Sequence, residues 1–431
     1  MCSGAVSVLY DGLAASTLAD IMRRTNVSAL AFAPDRYTDQ ALAVLDEVPG
    51  VTALTLGESH YGVNISTLAE AEPVEPVRIE ARTEDLASIR FTGGSTGTPK
   101  GIPHDFHVPR YFSTAALTAG DTTQLLCTPI GHFGGTLAET VLAAGGVVVL
   151  HERFDAGEVL AAIENQRVTF IWLLPSLLHR LLDHPALKST DTSSLQLLAL
   201  GGWASTPYRV AQAVERFGPI VAQGYGTNEA GQITWLTAEE HLRPELLTTV
   251  GRPVSGVEVT IRDPGGELVD TGVIGEIWVR GPDLMTGYYK QPEETAKVLR
   301  DGGFHSGDLG FLDVDGYLSL VGRSKDVIII AGGHSYPSDI ENVLLRHPCI
   351  QAAVVFGVTE ADNDERLCAA VVPTPTGHLS ENDVARWVRE QRGGLYQPDV
   401  VLMLDELPTT CSHKPDRAAL RRMALSLTDD R

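Results

Sequence analysis

From Phe91 to Gly101 the chain reads Phe-Thr-Gly-Gly-Ser-Thr-Gly-Thr-Pro-Lys-Gly, and a short apolar run, Ala87–Phe91, leads into it. Thr92, Gly93, Gly94, Ser95, Thr96 and Gly97 combine hydroxyls with glycines whose backbone N–H groups can converge on one oxyanion. Lys100 adds a fixed positive charge. That chemistry is phosphate binding. The run is not a Walker-type loop, because Pro99 precedes the lysine and Gly101 follows it in place of Ser or Thr. A bare glycine cluster would read as a flexible turn, but hydroxyls and a lysine together favour a phosphate.

Lysine is scarce, which sharpens the point. Six occur in the whole chain: Lys100, Lys188, Lys290, Lys297, Lys325 and Lys414. Over 431 residues, Lys+Arg 33 stand against Asp+Glu 55, a formal net charge of -22. Such acidity argues against a nucleic-acid or anionic-membrane surface as the main role. Any anionic ligand must be held by local amides and a few cations, against the global field.

The chemistry needs a frame to position it. At 43% hydrophobic and 20% charged residues, the composition is that of a globular protein, and the length suits two or three domains. Five cysteines, odd in number and without a CxxC pair, point to a reducing compartment. The N-terminus lacks a basic n-region, and the apolar stretch Val141–Leu150 is too short to cross a bilayer. A cytoplasmic protein without a membrane span is expected.

From Val27 to Gly226, apolar runs at Val27–Phe32, Val51–Leu56, Gly146–Leu150, Thr169–Leu174 and Leu195–Leu200 alternate with helical spacing. The helical segments are Ala156–Gln166, Ser176–Leu182 and Pro207–Phe217. This pattern predicts a parallel α/β sheet covered on both faces. From Val250 to Gly322, turn signals at Asp263–Gly266, Asp270–Gly272 and Asp315–Gly316 predict β hairpins. Beyond Lys325 the pattern is a small α+β domain. The expected class is therefore α/β: a large N-terminal domain of α/β sheets with a β-rich subdomain over 1–324, then a small mobile α+β domain over 325–431.

Five further stretches follow the phosphate loop in order. They are Thr128–Gly134 around His132, Gly224-Tyr-Gly-Thr-Asn-Glu229, Gly275–Gly281 with Thr286–Thr295, Phe304–Gly310 with Gly322–Asp326, and Leu407-Pro-Thr-Thr-Cys-Ser-His-Lys414. Together the six resemble the adenylate-forming enzymes, the superfamily of acyl-CoA synthetases, peptide-synthetase adenylation domains and luciferases. The resemblance runs from about Leu18 to Leu420, closest in character to acyl- or aryl-CoA ligases.

That resemblance implies an ATP-dependent acid–thiol ligase, with ATP, Mg²⁺ and coenzyme A or a carrier protein's phosphopantetheine as cofactors and partners. Lys414 is the implied catalytic lysine and His132 the acyl-pocket histidine. Tyr225 would stack on adenine beside Gly201, Gly202 and Trp203, within the run Gly224, Tyr225, Gly226, Thr227 and Asn228. Glu229 would hold Mg²⁺. Asp308 would accept from the ribose hydroxyls, Arg323 would donate to ribose or phosphate, and Lys325 would be the hinge. Gly332 would leave room for the pantetheine arm. Lys414 would counter the charge that builds as a carboxylate attacks phosphorus.

Some positions depart from the family. The region before Leu18 is shorter, implying a shortened N-terminal subdomain. Asn228 replaces the usual Thr, though its amide can still donate. His413 and Pro415 flank Lys414, and Trp203 is bulky for its place. No acid occurs from Thr128 to Ala138, where α-amino-acid-activating relatives carry an aspartate. A buried ammonium without a counter-charge is costly, so a carboxylic acid lacking that group is expected. An acyl-AMP ligase that loads a carrier protein, and a truncated relic that binds nucleotide or acyl groups without catalysis, remain alternatives at this stage.

Overall fold

The computed structural model describes residues 5–7, 9, 13–73, 81–92, 99–106, 120–203, 205–330, 333–359, 365–374, 377–410 and 414–429. The chain divides into two compact units: Met1–Val108 with Met285–Lys297, and Pro109–Leu284 with Val298–Arg431.

In the first unit, strand β1 (Val6–Ser7) precedes helix α1 (Ala15–Thr25), β2 (Ala29–Phe32), α2 (Pro34–Glu47), β3 (Thr52–Thr55), β4 (Val63–Asn64) and α3 (Ile65–Ala71). Helix α1 buries Leu18, Ala19, Ile21 and Met22 and stops at Asn26, a left-handed residue at φ +55°. Strands β2, β3 and β4 pair in parallel as a sheet of their own. The sequence pattern had placed β2 and β3 in one sheet with the later strands. Periodicity reports that a strand is buried, not which sheet it joins. Next come β5 (Leu86–Thr92) and β6 (Lys100–Asp105), antiparallel, with Thr92 opposite Lys100. The glycine-rich run is thus the connection of a hairpin.

The second unit opens with the predicted α/β layer. Its elements are β7 (Thr123–Leu126), α4 (Phe133–Ala143), β8 (Val147–Leu150), α5 (Ala156–Asn165), β9 (Phe170–Leu173), α6 (Pro175–Asp183), β10 (Leu197–Leu200) and α7 (Pro207–Phe217). Strands β11 (Val221–Thr227), β12 (Gly231–Leu236) and β13 (Arg252–Pro253) complete a seven-stranded sheet of order β13-β12-β11-β10-β9-β7-β8. Strands β7 to β11 are parallel, and β12 and β13 turn back antiparallel. All four residues of β9 are buried, as an apolar run in a doubly covered sheet requires. Proline in the first turn starts α6 and α7, and the Asp155 carboxylate caps α5 by accepting from Glu158 N–H at 3.0 Å.

The hairpin region is a second sheet: β14 (Glu258–Arg262), β15 (Gly275–Arg280), β16 (Leu299–Arg300), β17 (Gly303–Leu312) and β18 (Leu318–Arg323), all antiparallel, with helix α8 (Pro292–Val298) before β16. Its turns fall on the predicted signals: Gly266 N–H donates to Asp263 O at 2.9 Å, and Gly316 N–H to Asp313 O at 3.1 Å. After one 3₁₀ turn, Ser324–Asp326, the α+β segment follows. It comprises the hairpin β19 (Ile328–Ile330) and β20 (Gly333–Ser335), α9 (Pro337–Leu344), the sheet of β21 (Ile350–Thr359), β22 (Glu365–Pro373) and β23 (Val400–Met403), helix α10 (Glu381–Arg392), and α11 (Arg417–Asp429). Among the described residues no helix is long and apolar enough to cross a membrane.

Candidate active site

Strands β17 and β18 set Asp308 directly opposite Arg323. Arg323 Nε donates to Asp308 Oδ1 at 2.9 Å, and the Tyr225 hydroxyl donates to Oδ2 at 2.7 Å. Tyr225 comes from β11, whose register slips between Tyr225 and Gly226 and so re-aims the strand end. Burial, then the Asp308 charge, pushes the Tyr225 phenol well above its ordinary pKa, so it keeps its proton and remains a donor.

Sequence motifs named Asp308 but not what shapes it. Gly307 has φ +69°, a conformation that favours glycine, and its N–H donates to Glu276 Oε1 at 3.1 Å. Ser306 Oγ donates to Ile277 O at 2.7 Å and accepts from Asp308 N–H at 3.0 Å. Strand β15 therefore holds the Ser-Gly-Asp kink from beside it. Glu276 and Ser306 were missed because neither side chain has a signature of its own.

Glu229 stands half-buried in the turn between β11 and β12 rather than at a helix start. In that turn Thr227 Oγ1 accepts from Ala230 N–H at 3.1 Å, and Asn228 is exposed. Lys414 is presented by a tight closure. Its carbonyl accepts from Thr410 N–H at 2.8 Å, and Thr409 bridges Pro415. Surrounding protein, and then Arg323, lower the Lys414 ammonium pKa, while Asp308 and Glu229 pull it upward. The residue keeps a solvent-exposed surface, so this is a tilt toward the neutral form and not neutralisation. Glu229 and Asp308 also raise Arg323, Asp308 most of all. Four charged groups from three segments thus share one field: Glu229, Asp308, Arg323 and Lys414.

The flanking glycines have identifiable reasons. A Cβ at Gly224 would come within 2.9 Å of the Trp235 ring, and one at Gly226 within 2.5 Å of Gly231 O, so both serve packing. Gly202 sits at φ +98°. Gly201 follows β10, where a Cβ would crowd Trp172 Nε1 at 3.2 Å and Gly224 O at 3.4 Å. Trp203 packs partly buried against the main core. His132 is the N-cap residue of α4, next to Phe133, whose ring meets Trp172 edge-on at 5.4 Å. Lys325 lies in the 3₁₀ turn, its pKa lowered by burial and then by Arg323.

The hairpin lysine belongs to the first unit. Lys100 Nζ pairs with Glu294 at 2.6 Å and lies over the Tyr288 ring at 5.0 Å. Hydrogen bonding from Lys100, then from Lys297, brings the Glu294 carboxyl down to about 2. Arg24 Nη2 donates to Pro99 O at 3.0 Å, and Lys290 Nζ donates to Arg24 O at 2.9 Å. Arg24 and Glu294 thus hold the end of the hairpin connection; Glu294 lies within the Thr286–Thr295 stretch, whereas Arg24 falls in none of the motifs. Gly93, Gly94, Ser95, Thr96, Gly97, Gly332 and the side chain of Thr92 lie outside the described residues.

Among the described residues no three His, Cys, Asp or Glu side chains gather as a metal cage. A half-buried carboxylate, Glu229, suits a hard cation that arrives on phosphate oxygens and keeps its waters.

The sequence profile of the AMP-binding enzymes matches residues 1–289, and that of the AMP-binding enzyme C-terminal domain matches 339–414. The chain is 34% identical over 426 residues to the medium/long-chain-fatty-acid–CoA ligase FadD8 of Mycobacterium tuberculosis, covering 93% of this chain and 74% of the relative. It is 36% identical over 359 residues to a feruloyl-CoA synthase of an Amycolatopsis species, covering 82% and 73%. The solved amide bond synthetase McbA of Marinactinospora thermotolerans superposes with a TM-score of 0.83 at 38% identity, over 96% of this chain and 84% of that one.

Proposed function

The chain belongs to the AMP-binding enzyme family, and from that premise we propose that it is an ATP-dependent ligase joining a carboxylic acid to the thiol of CoA. A carboxylate oxygen attacks the α-phosphorus of ATP, the bond to the bridging β-phosphate oxygen breaks, and pyrophosphate leaves. The thiol sulfur then attacks the acyl carbon of the adenylate, and AMP departs with the carboxylate oxygen. The observation that carries this reading is the shared field of Asp308, Arg323, Glu229 and Lys414 beside the buried Tyr225 hydroxyl.

In this reading the hairpin run Thr92–Gly97 and Lys100 cradle the phosphates, with Lys100 exchanging Glu294 for them. Asp308 takes the ribose hydroxyls with the lone pairs its present partners leave free. Tyr225 and Gly201 flank the adenine, and Arg323 reaches the ribose or phosphate. Lys414 meets the charge that builds between carboxylate and α-phosphate. Glu229 would hold Mg²⁺, which supplies neutralising charge on the phosphates when bound. His132, Phe133, Trp172 and Trp203 line the acyl side. An aryl acid or a small to medium acyl acid without an α-amino group fits a Thr128–Ala138 segment free of acids. Domains over 1–324 and 325–431 would turn about Lys325, in a cytoplasmic enzyme whose thiols at Cys127, Cys349 and Cys368 stay reduced.

The test is ATP–pyrophosphate exchange over a panel of aryl and alkyl acids, followed by addition of CoA. Acid-dependent exchange and an acyl-CoA product are expected; absence of exchange with every acid of the panel would overturn the reading in favour of a binding relic. The 38% identity to an amide bond synthetase favours a second acceptor, an amine. Adding amines or a phosphopantetheinylated carrier in place of CoA separates the three acceptors by product mass.

A further inference from the structure

Arg209 lies in the first turn of α7 and is 6% exposed, a buried cation that needs partners. Its Nη1 and Nη2 fork onto Asp183 at the end of α6, at 2.6 Å and 3.2 Å. Nη2 also donates to Ile350 O at 3.3 Å, across 141 positions of chain, at the first residue of β21. His179, one turn before Asp183 on α6, is 5% exposed, and α6 packs against β21. Burial, then Arg209, lowers its pKa to about 3, so it is neutral and adds no charge to the contact.

The ladder of β21 explains why this carbonyl is available. Ile350 is paired with Pro373, which has no N–H to give. The register then shifts between Ile350 and Ala352, leaving Gln351 as the extra residue of a bulge. Arg209 of α7 takes up the Ile350 carbonyl, which Pro373 cannot satisfy. Arg209 thereby ties the layer that carries Tyr225 to the segment that carries Lys414, in the same arrangement that sets Lys414 in the field of Asp308 and Glu229.

We propose that Arg209, oriented by Asp183 and backed by His179, is a positioning residue that clasps the first residues of β21 and so holds Lys414 at the site for the first half-reaction. The clasp rests on the ligase reading for its consequence in catalysis, but its contact can be measured without turnover. Arg209→Met should lower pyrophosphate exchange by about tenfold through kcat, with little change in the KM for ATP. Transfer from pre-formed acyl-adenylate to the acceptor should be unchanged or faster. Arg209→Lys keeps the charge without the fork, so its exchange rate should fall between those of Arg209→Met and the wild type. Hydrogen exchange over residues 346–356 should quicken in Arg209→Met while the rest of the α+β segment stays protected.

Because Arg209→Met strands a partly buried carboxylate, the double variant Arg209→Met/Asp183→Asn serves as the folded control and should show the same split. Equal losses in both half-reactions, or unchanged hydrogen exchange at 346–356 in the folded double variant, would overturn the clasp. Failure of the wild-type protein to exchange pyrophosphate with any acid would instead overturn the ligase reading, and the hydrogen-exchange arm would still decide the contact.

Discussion

The Tyr225 hydroxyl donates to Asp308 Oδ2 at 2.7 Å, joining a strand of the seven-stranded sheet to one of the five-stranded sheet 83 positions later. Tyr225 also packs in the cluster of Ile233, Val259, Ile277, Val279 and Phe304, which both sheets build. The residue expected to face adenine is therefore part of the core that aligns the two sheets. Its ring and its hydroxyl have separable duties.

Tyr225→Phe separates them. The ring stays and Asp308 loses one buried donor, an omission worth about 1–3 kcal/mol. Denaturant unfolding should show a loss in that range, with the KM for ATP rising because Asp308 is no longer fixed. Unaltered stability and KM would mean that Asp308 is held by Arg323 and the Ser306 kink alone.

Lys414 should carry an alkaline limb in adenylation. Its ammonium is the active form, and its pKa is lowered from 10.5 by surrounding protein and Arg323. Activity should therefore fall as pH rises, at a midpoint below that of an ordinary lysine. Lys414→Ala should lose adenylation by orders of magnitude, while transfer from pre-formed acyl-adenylate suffers much less. Lys414→Arg should retain part of the rate and show no limb. Matched losses in both half-reactions for the alanine variant would make the lysine structural.

Glu229→Gln keeps shape and removes charge in a turn that Thr227 Oγ1 closes by accepting from Ala230 N–H. Thermal melting fixes the folded fraction before rates are compared. Adenylation should fall, and the Mg²⁺ concentration for half-maximal rate should rise. An identical metal titration in variant and wild type would remove Glu229 as the ligand.

Much of this site was legible because glycines, prolines and scarce lysines mark it locally. Pro207–Phe217 reads as a helix from proline at its start and apolar spacing, and it is one. Helix α1 escaped because it begins after Ala14, which offers no capping side chain, whereas α2 opens on Pro34, the same start signal as Pro207, and that signal was passed over. Helix α4 was hidden by Gly134 and Gly135, which read as a loop. They are glycines because Thr128 Oγ1 and Ile130 O would lie 2.5 Å and 1.8 Å from their Cβ atoms. Arg24 and Arg209 act across 75 and 141 positions, and no local pattern encodes such a partner.

We propose Lys325 as the pivot between the two poses. Strand β18 ends at Arg323 in extended conformation, Ser324–Asp326 form a single 3₁₀ turn, and Val327 is extended again. A change of pose would concentrate in these few residues. A 3₁₀ turn has φ of roughly −50 to −70°, the range that proline enforces at about −65°. Lys325→Pro is thus compatible in φ with the observed pose and blocks departure from it. The ring also crowds Ser324, so thermal melting must fix the folded fraction before rates are compared. Pyrophosphate exchange should stay near normal per folded molecule, and thioester formation should drop at least about tenfold. Normal thioester formation by folded Lys325→Pro would mean that the pivot is not at Lys325, because a proline there leaves φ no room to turn.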